Sequence, residues 1–153
     1  MRRFYKLLGI AAIVAAIGLA GCSADDDGEY IPPTYIVIEG LPSFQNGSEG
    51  TIRIFSELSN SPINAGIGYS PISDGRISVE LSVPHNNLST SQTKWTGNGS
   101  YYIYFMSNVY GSYYPHDGMI YVGNGQEPQK YNINESVITI PYSAFMQYDY
   151  REH

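Results

Sequence analysis

Beyond residue 34 the apolar positions of this chain recur with a period of two, in short runs closed by Gly, Asn, Asp or Pro, and no window sustains a helical period. Such runs form strands with one dry face and one wet face. The clearest is Ile77 to Val83, where Ile77, Val79, Leu81 and Val83 fall on one side and Ser78, Glu80 and Ser82 on the other. It follows Ser73-Asp74-Gly75-Arg76, a turn in which Gly takes the positive φ that a tight hairpin demands. Tyr35 to Glu39, Thr51 to Leu58 and Ile67 to Ile72 are three earlier strands, the first two separated by Pro42, Asn46-Gly47 and Glu49-Gly50. After a polar loop at residues 85–94, Ser100 to Ser107 is apolar on both faces, with Tyr101, Ile103 and Phe105 on one and Tyr102, Tyr104 and Met106 on the other. That pattern belongs to a central strand. Met119 to Val122 and Ser136 to Tyr142 bring the count to about seven, and turn-punctuated strands in that number predict an all-β fold: a single immunoglobulin-like β-sandwich over residues 35–150, lacking the cysteine pair of antibody domains.

The first residues follow a different pattern. Arg2, Arg3 and Lys6 precede an apolar run from Leu7 to Leu19 that ends in small residues, which is the three-part plan of a signal peptide. The run is shorter than the roughly 20 apolar residues needed to span a bilayer. Its end, Leu19-Ala20-Gly21-Cys22, matches all four positions of the bacterial lipoprotein signal, and the segment resembles that family. The resemblance implies a signal peptide at 1–21, cut before Cys22, and a diacylglycerol on the Cys22 thiol with an acylated amino group. Two or more chains anchor stably where one binds only marginally. Ser23, in place of Asp, implies passage to the outer membrane of a bacterial envelope. Cys22 is the only cysteine, so an exported chain offers it no disulfide partner. Residues 22–34, with Asp25-Asp26-Asp27-Gly28-Glu29 and Pro32-Pro33, then form a lipidated, disordered acidic tether.

Further short phrases, Ile36-Val37-Ile38-Glu39-Gly40-Leu41-Pro42, Ser73-Asp74-Gly75-Arg76-Ile77, Trp95-Thr96-Gly97-Asn98-Gly99-Ser100-Tyr101-Tyr102 and Ile138-Thr139-Ile140-Pro141-Tyr142, resemble segments of small β-domains in spirochaete-type surface lipoproteins. The resemblance implies the anchor and the sandwich and brings no active residue with it.

Charge narrows the partners. The formal net charge is −6, and loss of Arg2, Arg3 and Lys6 with the signal segment takes it to −9. Arg53, Arg76, Lys94, Lys130 and Arg151 are scattered singly, so no basic stripe is present to neutralise phosphates, and nucleic-acid binding is disfavoured. Anchoring to the membrane falls to the lipid on Cys22 alone. His85, His116 and His153 lie far apart, no metal-ligand spacing or nucleophile motif occurs, and Tyr114-Pro115-His116-Asp117-Gly118 has the composition of a turn. No catalytic residue, metal or cofactor is assigned. Fifteen tyrosines are the unusual feature. Trp95, Tyr110, Tyr113 and Tyr114 are the candidate ligand-binding residues, the three tyrosines because they fall in a Gly- and Ser-containing loop. Three functions follow in order: a non-enzymatic envelope domain that binds a protein or serves a larger assembly, a carbohydrate-binding module using aromatic loops, and a small envelope hydrolase.

Overall fold

Alternating β-branched residues on three strands pair into two buried rows in the smaller of two sheets. The computed structural model describes residues 32–59, 64–84, 95, 97–123, 125 and 127–147, all within one compact unit, Ile31–His153. The signal segment, Cys22, residues 22–31 of the tether, the 85–94 loop, His85 and His153 lie outside the described residues. β1 (Tyr35–Glu39) runs antiparallel to β4 (Arg76–Glu80) and parallel to β8 (Val137–Pro141), in the order β4-β1-β8. Ile36 stands between Val79 and Ile138, and Ile38 between Ile77 and Ile140, all six buried. The opposite face of β8 carries the exposed Val137, Thr139 and Pro141.

The larger sheet has six strands. β3 (Asn64–Pro71), β2 (Glu49–Phe55), β5 (Gly99–Val109), β6 (Ser112–Tyr121) and β9 (Phe145–Gln147) lie in that order, and β7 (Tyr131–Ile133) pairs with the first residues of β5. Ile52, Ile54, Ile103 and Phe105 point from it into a core shared with the smaller sheet and with Leu41, Ile72, Trp95, Ile133 and Phe145. The other face buries a second cluster of Phe55, Tyr104 and Ile120, flanked by Tyr102, Met106 and Met146. This explains why β5 is apolar on both sides. β5 is the middle strand, as its pattern predicts.

Two corners join the sheets. The bridges Ser73↔Arg76 and Ile67↔Ser82 share one register, so β3 and β4 are arms of a single hairpin that meets at both ends and parts between them. At the other corner, β8 passes through a 3-10 turn, Tyr142–Ala144, and becomes β9 of the larger sheet. Strands that bend from one sheet to the other are how sandwiches close their sides. The first corner needs residues without side chains on the inner face of the larger sheet. A Cβ on Gly68 would stand 2.6 Å from the Glu80 carbonyl oxygen and 2.9 Å from Val79 Cβ. On Gly66 it would stand 3.0 Å from Ile54 and from the Trp95 ring, and on Gly50 it would overlap Ile77.

Four expectations need correction. Nine strands are present among the described residues in place of about seven, because β7 and β9 are three-residue strands too short for periodicity to register. β2 begins at Glu49 and ends at Phe55, which leaves Glu57 in a bend. Dry-face alternation from Ile77 stops at Leu81, since Ser82 turns to pair with Ile67 and Val83 is only half-buried. Finally, Tyr114 to Gly118 is no turn between strands but part of β6. Phe105 faces Met119 and Ser107 faces Tyr114, so Pro115 to Gly118 bulge out opposite Met106 alone. Gly118 ends the bulge beneath the Tyr104 ring, which leaves no space for a Cβ.

If the inner glycines set the closure, Gly68→Ala should destabilise the domain by about 1–3 kcal/mol, the usual cost of overpacking against backbone that cannot yield. Thr139→Ser, on the exposed face of β8, should stay within about 0.5 kcal/mol. Urea unfolding midpoints of the two variants measure the contrast.

Candidate functional site

The tyrosines singled out by sequence meet at one pole of the sandwich. β5 runs from Gly99, near the residues where the chain enters the domain, to Val109 at the far end, and eleven strand residues cover about 35 Å at ~3.3 Å each. There Val109 pairs with Ser112 across a two-residue loop, Tyr110-Gly111. Both loop residues have positive φ, +52° and +80°, the pattern of a type I′ hairpin turn.

The same turn occurs elsewhere in the chain with different residues. Asp74 and Gly75, at φ +52° and +69°, close the β3–β4 hairpin with mutual backbone hydrogen bonds between Ser73 and Arg76 of 2.9 and 3.0 Å. Asp-Gly is the residue pair such a turn favours. Tyr110 is not, since a bulky L-residue in the left-handed region costs about 1–2 kcal/mol. Tyr110 is also 95% exposed, so packing does not repay that cost. Strain of this kind, retained without a structural return, makes position 110 a candidate for a functional role.

Around Tyr110 the pole is firmly built. A 3-10 turn, Ser43–Gln45, sits against the end of β5, and its buried Gln45 accepts a 3.0 Å hydrogen bond from the Ser107 hydroxyl. Asn46 Oδ1 accepts from Gly75 N at 2.9 Å, Gly47 N donates to Ile72 O at 2.8 Å, and Ile72 N donates to Ser48 O at 2.8 Å. Phe44, 47% exposed, projects from this platform and meets Tyr114 edge-on, with centroids 4.9 Å apart and planes at 90°. Between the platform and the hairpin tip lies an open cleft of about 440 Å³ lined by Phe44, Asn46, Glu49, Asn108 and Tyr110.

The four candidates therefore separate. Tyr113 and Tyr114 belong to β6, not to a loop, and cross-strand partners share a face. Tyr114 lies opposite buried Ser107 and joins Phe44 on that side, whereas Tyr113 lies opposite Asn108 on the outer side. Trp95 stands apart from the pole. It is only 6% exposed, packs edge-to-face on Tyr101 at 5.3 Å as part of the core, and borders a cleft of about 180 Å³ with Thr34, Asn98 and Glu135 where the chain enters the domain. Phe44, Glu49 and Asn108 were not singled out from sequence. An apolar residue stranded in the turn-rich stretch from Pro42 to Gly47 was the available signal for Phe44.

Chemistry elsewhere is sparse. His116 is exposed within the β6 bulge, and among the described residues no group of three or more His, Cys, Asp or Glu side chains is placed to hold a metal ion. Burial raises the hydroxyl pKa of Tyr121, with Tyr131 adding to it. Burial also raises that of Tyr142, where the Gln45 side chain opposes the effect and Tyr114 adds to it. Both rings pack against the core.

Since the fold prefers another residue at position 110, Tyr110→Asn should raise stability by about 1 kcal/mol, seen as a higher urea midpoint with an unchanged slope. An unchanged or lowered midpoint would mean that the tyrosine serves the turn itself. The chain matches no protein-family model, no curated protein and no solved structure, so the pole stands on its geometry alone.

Proposed function

We propose that this chain is a bacterial envelope lipoprotein, anchored through lipid on Cys22 in the outer membrane, whose β-sandwich binds a protein partner at the Tyr110 pole and performs no catalysis. The anchor is supported by the signal-like segment ending Leu19-Ala20-Gly21-Cys22. The observation that carries binding is Tyr110, strained in backbone and 95% exposed at the tip of a hairpin. The pole lies at the opposite end of β5 from the residues through which the chain enters the domain.

A partner protein suits the rings better than a polysaccharide. Sugar-binding faces stack flat rings in a coplanar row, but Phe44 and Tyr114 are perpendicular and Tyr113 is on the other side of the sheet. Aromatic side chains presented at several angles are typical anchors of protein interfaces.

Cys22→Ala should abolish metabolic palmitate labelling and move the protein from the detergent phase to the aqueous phase on Triton X-114 partitioning, with the domain still folded by circular dichroism. Persisting label would sink the anchor. For the pole, a panel of envelope and host proteins and glycans tests the wild type against a Tyr110→Asn, Tyr113→Ser, Tyr114→Ser triple variant. The account expects a protein on the panel to bind and the triple variant to lose at least about tenfold in affinity, the scale of one or two aromatic anchors. Full retention by the folded variant, or a glycan as the only ligand, contradicts it.

A further inference from the structure

Building on the reading of the Tyr110 pole as a binding surface, we infer that its cleft receives an arginine side chain of the partner protein, stacked on the exposed rings and paired with Glu49. Glu49 is exposed at the first residue of β2 and lines the cleft with Phe44 and Tyr110. It makes no ion pair among the described residues, unlike Glu39, which pairs with Arg76 at 3.3 Å. No lysine or arginine lines the cleft, and the chain as a whole is acidic, with a net charge of −6. By register Glu49 stands beside Asn108 on the side of Tyr113, and the cleft at the strand end joins that carboxylate to two exposed rings with no cation of its own.

Three features choose among cations. A ring attracts any cation over its face, so Phe44 and Tyr110 alone would accept ammonium, guanidinium or a quaternary amine. Glu49 and Asn108 add acceptor oxygens, which reward a ligand with N–H donors and give a quaternary ammonium nothing to bond. Between lysine and arginine, the planar, weakly hydrated guanidinium both stacks on rings and presents a fork of donors to one carboxylate. A cleft of about 440 Å³ admits that head group with room for its aliphatic stem. The floor is held in place before binding, because Gly47 and Ser48 are fastened to Ile72 by backbone hydrogen bonds and the Asn46 side chain accepts one from Gly75 N. Such preorganisation spares the ordering cost of association.

The test uses N-acetyl-arginine amide as the probe, its uncharged isostere N-acetyl-citrulline amide, and choline, each titrated into the purified protein while amide and aromatic NMR shifts are followed. Arginine amide should give saturable shifts at Phe44, Glu49 and Tyr110, with citrulline amide and choline about tenfold weaker, as expected for loss of a charge-assisted hydrogen bond. Glu49→Gln, an exposed isosteric change, should weaken the arginine probe about tenfold and leave the unfolding midpoint unaltered. Equal binding of citrulline amide or choline, an unweakened Glu49→Gln, or no saturable shift up to the solubility limit overturns the inference. The two readings fail separately. A partner that tolerates Glu49→Gln but not the triple tyrosine variant leaves the pole standing without its arginine, whereas probe binding that depends on Glu49 in a pole whose partner ignores the tyrosines does the reverse.

Discussion

Closure of the sandwich depends on how near β3 comes to β4, and that distance is set by what Gly68 lacks. The two strands begin and end as one hairpin, yet between the bridges each is drawn into a different sheet. Side chains on the inner face of β3 would have to occupy the space of Val79, the Glu80 carbonyl, Ile54 and Trp95. With only hydrogens there, the sheets meet at this edge and diverge toward the middle, where Ile36, Ile38, Phe105 and Ile103 fill the gap. Interiors pack at crystal-like density, so even one methyl group at such a position must displace something.

The same closure brings the hairpin turn Asp74-Gly75 to the platform at Ser43 to Ser48. Hydrogen bonds from Gly75 N to Asn46 and between Ile72 and residues 47 and 48 make the platform an extension of the corner. Gln45 reaches from it to Ser107, which ties it to β5 just before the Tyr110-Gly111 tip. A mobile tip could also expose a tyrosine. Here the tip closes a long central strand braced by β2 and β6, so its ring and the neighbouring Phe44 are offered on a fixed frame. Sites on rigid elements hold their geometry better than sites on free loops.

How much of this the sequence carries differs by scale. Period-two patterning identified the all-β class, the core face of β4 and the central place of β5, because those signals come from burial of alternating residues over five or more positions. It missed β7 and β9, whose three residues give no period, and it ended the last strand at Tyr142, where the chain only bends between sheets and goes on as β9. Pro115 and Gly118 misled in the same way, since a bulge inside β6 uses the same residues as a turn between strands. At the site, the tyrosines were conspicuous by composition, but their separation onto two faces needed register. Trp95 joins the core for a reason no local pattern contains: the space above Gly66 is contributed by another strand. Glu49 was legible only as part of a turn signal, and its place in the cleft follows from β5 and β2 ending together.

The central claim, that the end of the molecule bearing Tyr110 is its recognition surface, is tested most directly by a photo-reactive amino acid placed at single positions in cells. Irradiation with the label at position 110 should give a discrete crosslinked species, and the label at position 139, on the exposed face of the smaller sheet, should give none. Crosslinking at 139 with none at 110 would place recognition on the wrong face of the molecule for this account and contradict it.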